Sequence, residues 1–273
     1  MKYILLILAN KMTYNIYKYD ETVYDKNATK MKTIDDIVKI FDPTDKNIGN
    51  THKLILFIQY LVNNNIVNCV DIPTFKPLGI GYEKYKLAKL LIGSVILYGD
   101  NSKNLYPSKE QLVEYVSKSE KQYMFYNLAL VKIKDIGMGH SNLIIIDKKR
   151  KIVERFEPHG KMEFFDDMYI DTFIVDNFLI PLKSLSEKYK YIHPLDYCPS
   201  LGPQSKQKLS NKDEKGSFCI TWSTLYLHIK FINPELSSNI IIDYLINKSA
   251  DDLQDLVERY QTFIDFVISD NDI

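Results

Sequence analysis

Two short apolar runs on either side of a charged turn are the feature that most constrains the fold of this chain. Residues 143–146 read Leu-Ile-Ile-Ile, and residues 152–156 form a second run of strand-forming type. The polar residues 147–150 between them suit a turn. Apolar runs of this length that flank a polar turn predict a β-hairpin.

The hairpin would bring a histidine and a carboxylate together. If its turn is centred between Lys148 and Lys149, His140 lies opposite Glu157 on the neighbouring strand, with Cβ atoms about 4.5–5.5 Å apart. Glu154 then points to the other face of the sheet, because it lies an odd number of residues from Glu157. An imidazole beside a carboxylate is the arrangement that fixes a histidine tautomer for proton transfer.

A second informative stretch begins at Cys219. Residues 219–232 are nearly uncharged and apolar on several sides, which predicts a buried helix that an Asn-Pro pair ends. Gly216 and Ser217 ahead of it are loop and N-cap residue types. A thiol at a helix N-terminus is stabilised as the thiolate by the helix dipole and by a nearby imidazolium. A free cysteine is more often buried and inert, and the hairpin upstream is what favours a nucleophile here.

The order of these residues resembles the adenain and SUMO-protease-like cysteine peptidases, which include processing proteases of large DNA viruses. The resemblance covers roughly residues 125–232. It implies an α+β fold of the papain-like type, with a central mixed or antiparallel sheet flanked by helices. It also implies His140 as general base, Glu157 as the acid that orients it, Cys219 as nucleophile and Gln204 as a donor to the oxyanion.

The chain departs from the family pattern in two places. The segment between Gln204 and the cysteine is longer than is usual, and residues 205–215 are polar and charged, which predicts an inserted surface loop. Gln207 therefore remains an alternative oxyanion donor. Ser141 follows the histidine where many cellular members carry a tryptophan, so an aromatic cover over His140 must come from elsewhere or be absent.

Other histidines and cysteines are alternative site residues. His159 follows the acid and could replace His140, although a turn histidine is more often solvated. His193, which precedes a proline, is expected to be structural. Cys198 could replace Cys219 as nucleophile, but its Tyr-Cys-Pro setting provides no helix dipole.

The composition limits the partners and the compartment. The 273 residues carry 35 basic and 35 acidic side chains, so a formal net charge of zero creates no requirement for nucleic acid. Cys69, Cys198 and Cys219 form no metal-ligand or disulfide pattern and suit a reducing, intracellular compartment. If the protein is viral, we expect it in the host cytoplasm or the virion. No metal or organic cofactor is implied.

The N-terminal region is the least informative. The apolar run at residues 3–9 is far short of the ~20 residues that span a bilayer, and no other run approaches that length. Met1 and Met12 both remain possible start residues. We interpret residues 1–119 as a helical or mixed extension packed on the core, and residues 120–273 as the catalytic domain.

The remaining pattern predicts the order of helices and strands. Ser108 with Gln111 indicates a capping box at a helix N-terminus, and Pro181 should interrupt a helical segment. The predicted helices are residues 33–41, 53–63, 108–118, 165–189, 239–247 and 250–268, and the predicted strands are 94–98, 124–133 and 189–193.

These features together predict a cysteine peptidase that acts on peptide or isopeptide bonds of a protein substrate, such as a viral precursor or virion protein. Three alternatives remain open. The chain could remove a ubiquitin-like modifier, it could be a YopJ-type acetyltransferase, or it could be an inactive binding module. The acetyltransferase would need an acetyl-CoA site, for which no basic, glycine-rich stretch argues.

Overall fold

The computed structural model describes residues 46–75, 91–98, 104–131, 139–161, 167–210 and 218–270. The helices are α1 (Lys46–Asn63), α2 (Lys109–Lys118), α3 (Asp167–Ile174), α4 (Ile180–Lys183), α5 (Pro203–Gln207), α6 (Cys219–Ile232), α7 (Ser238–Ile246) and α8 (Ala250–Asp270). The strands are β1 (Val70–Asp71), β2 (Thr74–Phe75), β3 (Leu91–Ile92), β4 (Ser94–Tyr98), β5 (Tyr123–Val131), β6 (Gly139–Asp147), β7 (Ile152–Phe156) and β8 (Lys190–Ile192).

A six-stranded mixed sheet forms the centre of the molecule. Its order is β1-β5-β6-β7-β8, and β4 also pairs with β5. The pairs β5–β6 and β6–β7 are antiparallel, whereas β1 and β4 run parallel to β5 and β8 runs parallel to β7. Helices cover both faces. The predicted α+β class, with a mixed sheet flanked by helices, is confirmed.

The sheet separates two hydrophobic clusters, because successive side chains of a strand point to opposite faces. Leu143 and Ile145 of β6 pack with the cluster that contains α1, α6 and α8. Ile144 and Ile146 pack with the cluster that contains α2, α3 and α4. Strand β6 is therefore buried on both faces, which explains why its sequence is a continuous apolar run rather than an alternating one.

The first part of the chain contributes to the same sheet and core as the rest. Strands β1 and β4 both pair with β5, and Leu54, Phe57 and Leu61 of α1 belong to the buried cluster around α6. The described residues before residue 120 thus share one sheet and one hydrophobic cluster with those after it. The helix predicted at residues 33–41 lies outside the described residues.

The hairpin forms, but its register differs from the predicted one by two residues. Leu143 pairs with Phe156 and Asp147 with Ile152, so four residues make the turn. Lys151, the last of them, takes a positive φ of 58°. A turn that ends in this left-handed conformation has no strong sequence signal unless glycine or asparagine supplies it. A shift of two residues preserves the face on which each side chain lies.

Two local predictions have different outcomes. Ser108 caps α2 in a full capping box with Gln111, as predicted. The helical segment predicted at residues 165–189 is irregular just before Pro181, because α3 passes through a π-helical turn at Val175–Leu179 into α4, and it ends earlier than predicted, at Lys183. Pro181 lies in the first turn of α4, where a missing backbone N–H is tolerated.

A buried polar network joins the hairpin to α6. Glu154 accepts hydrogen bonds from the Tyr226 hydroxyl at 2.5 Å, from Lys230 Nζ at 3.0 Å and from the Ser238 hydroxyl at 2.7 Å. The side chains of Glu154 and Lys230 are only 6% and 4% exposed. Each charge is therefore withdrawn from water and depends on the other for compensation.

We expect Glu154→Ala to lower the free energy of unfolding by about 3–5 kcal/mol, because it leaves Lys230 charged, buried and unpaired. Urea denaturation followed by circular dichroism measures the change. Glu114→Ala is the matched control, since it breaks an ion pair with Lys118 in which both side chains are mostly exposed, and its midpoint should stay at the wild-type value. A Glu154→Ala midpoint as high as that of the control would contradict the role of the network.

Candidate active site

His140 and Glu157 meet at one end of the hairpin. The Nε2 atom of His140 lies 2.8 Å from Oε1 and 2.9 Å from Oε2 of Glu157. His140 is the second residue of β6, and Glu157 follows the last residue of β7. Glu157 is fully buried, whereas 12% of the His140 side chain is exposed. A carboxylate in this position is stable as an anion only with such a partner.

The pair is held as imidazolium and carboxylate. Burial lowers the pKa of His140, but the negative charge of Glu157 and the hydrogen bonds to Cys219 and Glu157 outweigh it and raise the pKa to about 10. Burial also raises the pKa of Glu157, but attraction to His140 and the hydrogen bonds from His140 and His159 together outweigh burial, and the net pKa is lowered. The imidazole of His140 therefore binds a proton more tightly than a free histidine does, and the carboxylate of Glu157 binds one less tightly than a free glutamate does.

Cys219 contacts the same imidazole. Its side chain is hydrogen-bonded to His140, and because Nε2 faces the carboxylate, Nδ1 is the ring nitrogen left for the thiol. Cys219 is the first residue of α6. The predicted cap at Ser217 is wrong, since the N-cap is Phe218 and makes no side-chain capping bond. The N-cap side chain itself therefore contributes no acceptor to the positive end of the helix at the thiol.

Helix α6 is fixed against β6 one turn beyond the cysteine. The Ser223 hydroxyl donates to the carbonyl oxygen of Ser141 at 3.5 Å, and Ser141 adjoins His140 in the chain. The Ser141 hydroxyl in turn donates to Asn127 Oδ1 on β5 at 2.5 Å. These buried contacts tie the helix that carries Cys219 to the strand that carries His140, and they explain why a serine follows the histidine.

The two candidate glutamines have different surroundings. Gln204 is fully buried, and its side-chain nitrogen and oxygen have no hydrogen-bond partner among the described residues. Gln207 accepts a hydrogen bond from the Trp222 indole at 3.0 Å and donates to Gln254 at 2.6 Å. Since both ends of the Gln207 amide are occupied, Gln204 is the one whose N–H donors remain available.

The prediction of a surface loop at residues 205–215 is wrong for its first residues. Residues 203–207 form helix α5, in which Gln204 and Gln207 are buried, and Ser210 beyond it is buried as well. The polar sequence misleads because Gln207 and Ser210 find hydrogen-bond partners within the protein, for example Asp251, which accepts from Ser210 at 2.6 Å. Residues 211–217 lie outside the described part of the chain.

Helix α5 is docked on the corner that follows Glu157. The backbone N–H of Gln204 donates to the carbonyl of Pro158 at 2.9 Å, and that of Gly202 donates to the carbonyl of His159 at 2.8 Å. A Cβ atom added to Gly202 would lie 2.5 Å from the backbone nitrogen of Gly160, which itself has a φ of +84°. Only glycine allows this approach of two backbones.

The alternative site residues lie in distinct environments. His159 is not the solvated turn residue that was expected, because its ring packs 5.1 Å from that of His140. Burial raises the pKa of the Cys198 thiol to about 12, with a further contribution from Glu157. Burial also raises the pKa of Cys69. His193 caps a short 3₁₀ turn and pairs with Asp171, a structural role.

Among the described residues, no helix is long and apolar enough to cross a membrane. No family model matches the chain.

One curated relative and one solved structure are similar to this chain. The putative ankyrin repeat protein L371 of Acanthamoeba polyphaga mimivirus is 25% identical over 154 residues, which cover 51% of this chain and 20% of that protein. This chain thus spans only a fifth of the relative's length. The structure of the Chlamydia abortus effector protein ChlaDUB aligns with a TM-score of 0.38 and 14% identity, over 82% of this chain and 92% of that one. The functional argument therefore depends on the geometry of the site.

Cys219 should react with iodoacetamide near neutral pH before Cys198 and Cys69 do, because it contacts an imidazolium at a helix N-terminus. Mass spectrometry of peptides after brief labelling measures the order. His140→Ala should slow labelling of Cys219 and leave the other two cysteines unchanged. Faster labelling of Cys198 in the wild type would contradict the assignment.

Glu157→Gln should lower the pKa of His140 from about 10, since the charge of Glu157 that raises it is lost, whereas burial and the contacts with Cys219 remain. In the wild type, the stabilisation linked to the raised pKa of His140 is complete below the unfolded-state pKa of ~6.5 and is lost as the pH rises through about 10. NMR titration of the histidine ring carbons measures both states. His228, whose pKa burial lowers to about 4, is the internal control. A value near 10 in the variant would show that Glu157 is not the cause.

Proposed function

We propose that the chain is a cysteine peptidase that hydrolyses peptide or isopeptide bonds of a protein substrate. The observation that carries this proposal is the position of the His140 imidazole between a buried carboxylate and a thiol at the start of a buried helix. A nucleophile, a base and a group that orients the base are the parts that acyl transfer needs.

In the proposed reaction, the proton of the Cys219 thiol already lies on Nδ1 of the His140 imidazolium, and the Cys219 thiolate attacks the substrate carbonyl carbon. The carbonyl oxygen becomes an oxyanion in the tetrahedral intermediate. His140 then gives its proton to the leaving amine as the carbon–nitrogen bond breaks, which leaves a thioester on Cys219. Water, deprotonated by His140, attacks the thioester and releases the acid and the thiol. Glu157 remains an anion throughout and stabilises the imidazolium.

The proposal assigns Gln204 and the backbone N–H of Cys219 to the oxyanion. A buried amide whose N–H groups have no partner within the described residues carries a desolvation cost of about 1–3 kcal/mol. An oxyanion that accepts from Gln204 would remove that cost in the transition state and not in the free enzyme. This is the condition under which an interaction accelerates the chemical step.

We infer the substrate context from the resemblance to adenain and SUMO-protease-like peptidases together with the viral relative. The proposal is a processing protease of papain-like type that cuts a viral precursor or virion protein in the host cytoplasm or the virion. Cys69, Cys198 and Cys219 are all free thiols, which suits a reducing compartment.

A rate series on one cleavable substrate tests the triad. Cys219→Ala should abolish turnover, because it removes the nucleophile, and His140→Ala should be nearly as severe. Glu157→Gln should be milder, since Glu157 orients the base and transfers no proton to substrate. Circular dichroism of each variant establishes that it is folded. Wild-type rates for folded Cys219→Ala would end the proposal.

The same assay separates the two glutamines. Gln204→Ala should reduce turnover by a factor on the order of 10²–10³. Gln207→Ala is the matched control. It removes the partner of Trp222 and Gln254, so it should lower the melting temperature while the folded protein keeps turnover within about tenfold of the wild type. The reverse pattern would transfer the oxyanion role to Gln207.

Substrate panels separate the alternatives. Cleavage of ubiquitin-like conjugates and not of peptides would indicate removal of a modifier. Transfer of an acetyl group from acetyl-CoA to a protein, without hydrolysis, would indicate an acetyltransferase. An unreactive Cys219 thiol with no turnover would indicate a binding module.

A further inference from the structure

His159 contacts three parts of the candidate site at once. Its backbone N–H donates to Glu157 Oε1 at 2.8 Å. Its ring lies against the ring of His140, with centroids 5.1 Å apart and planes inclined by 42°. Its Nδ1 atom is 3.0 Å from the hydroxyl of Ser205 on helix α5, the residue that follows Gln204.

We propose that His159 is a positioning residue that holds Glu157 and the His140 ring in a fixed relation to the helix that carries Gln204. This inference rests on the proposed peptidase function and adds a residue to it. The backbone N–H occupies one lone pair of Glu157 Oε1, which limits rotation of the carboxylate. The ring covers one side of the His140 imidazole, and the bond to Ser205 anchors the ring to α5.

The charge state of His159 affects the stability of the His140 imidazolium, because the two rings are in contact. The charged groups that act on His159 are His140 on β6, Glu157 just before it in the chain, and Lys208 at the end of α5. Burial, His140 and Lys208 lower the pKa of His159 and Glu157 raises it, with a net value of about 4. A neutral ring supports the His140 imidazolium without repelling it, whereas a cation at this position would compete for Glu157.

Two pairs of variants test the ring and the charge separately. His159→Phe keeps a ring beside His140 and loses the bond to Ser205, whereas His159→Ala loses both. His159→Met and His159→Lys have side chains of similar length that differ in charge. All four keep the backbone N–H that Glu157 accepts. His193→Ala, which changes a histidine outside the site, is the control.

The first measurement needs no substrate. Solvent exchange of the His140 Nε2 proton, followed by NMR, should be about tenfold or more faster in His159→Ala than in the wild type, and His159→Phe should restore most of the protection. His159→Lys should lower the pKa of His140 by about 1 or more relative to His159→Met, through like-charge repulsion at close range. The control should match the wild type in both measurements.

The second measurement uses the cleavage assay. His159→Ala should lower kcat by about tenfold or more with little change in KM, because misaligned groups cost rate more than binding. His159→Phe should recover most of the loss. Ser205→Ala should lower kcat less than His159→Ala does, since it releases the ring without removing it.

The outcomes distinguish this inference from the function on which it rests. Wild-type proton exchange and wild-type kcat in folded His159→Ala would overturn the positioning role while leaving the peptidase proposal intact. Equal pKa values of His140 in the Met and Lys variants would overturn the electrostatic part. A wild-type protein that cleaves no substrate would overturn the peptidase proposal. The NMR measurements would still decide whether His159 holds Glu157 and the His140 ring in place.

Discussion

The buried ion pair between His140 and Glu157 is the interaction on which the rest of the site depends. A carboxylate that is fully buried carries a desolvation cost that one cation and good hydrogen bonds must offset. Both oxygens face His140 Nε2, and one also accepts from the backbone of His159. These partners lie at the end of the antiparallel strand pair β6–β7, which holds them at a fixed distance.

Two glutamates separated by three positions on the same segment have opposite uses. Glu154 points toward α6 and is paired with Lys230, where it joins the hairpin to the helix. Glu157, which follows the last residue of β7, pairs with His140. The same helix α6 receives the Glu154 network near its end and presents Cys219 at its start, so its packing and the position of the thiol are coupled.

The corner after β7 connects the acid to the candidate oxyanion donor. Backbone hydrogen bonds from Gly202 and Gln204 end on His159 and Pro158, and the absence of side chains at Gly160 and Gly202 lets the two segments touch. A small change at this corner would move Glu157 and Gln204 together. Catalytic groups on different segments need this kind of common anchor, since errors of an ångström in their relative position reduce rate strongly.

The sequence by itself determined the hairpin, the buried helix that starts at Cys219 and the capping box at Ser108. These follow from local periodicity and residue type, which act over a few residues. It also indicated His140, Glu157, Cys219 and Gln204 as candidates, whose roles stay predictions. Only the tertiary structure decided the register of the hairpin, the contact of His159 with His140, and the different environments of Gln204 and Gln207. Groups distant in sequence determine the left-handed conformation of the turn residue, the contact between the two histidine rings and the hydrogen bonds of each buried amide. Local patterns carry no information about these groups.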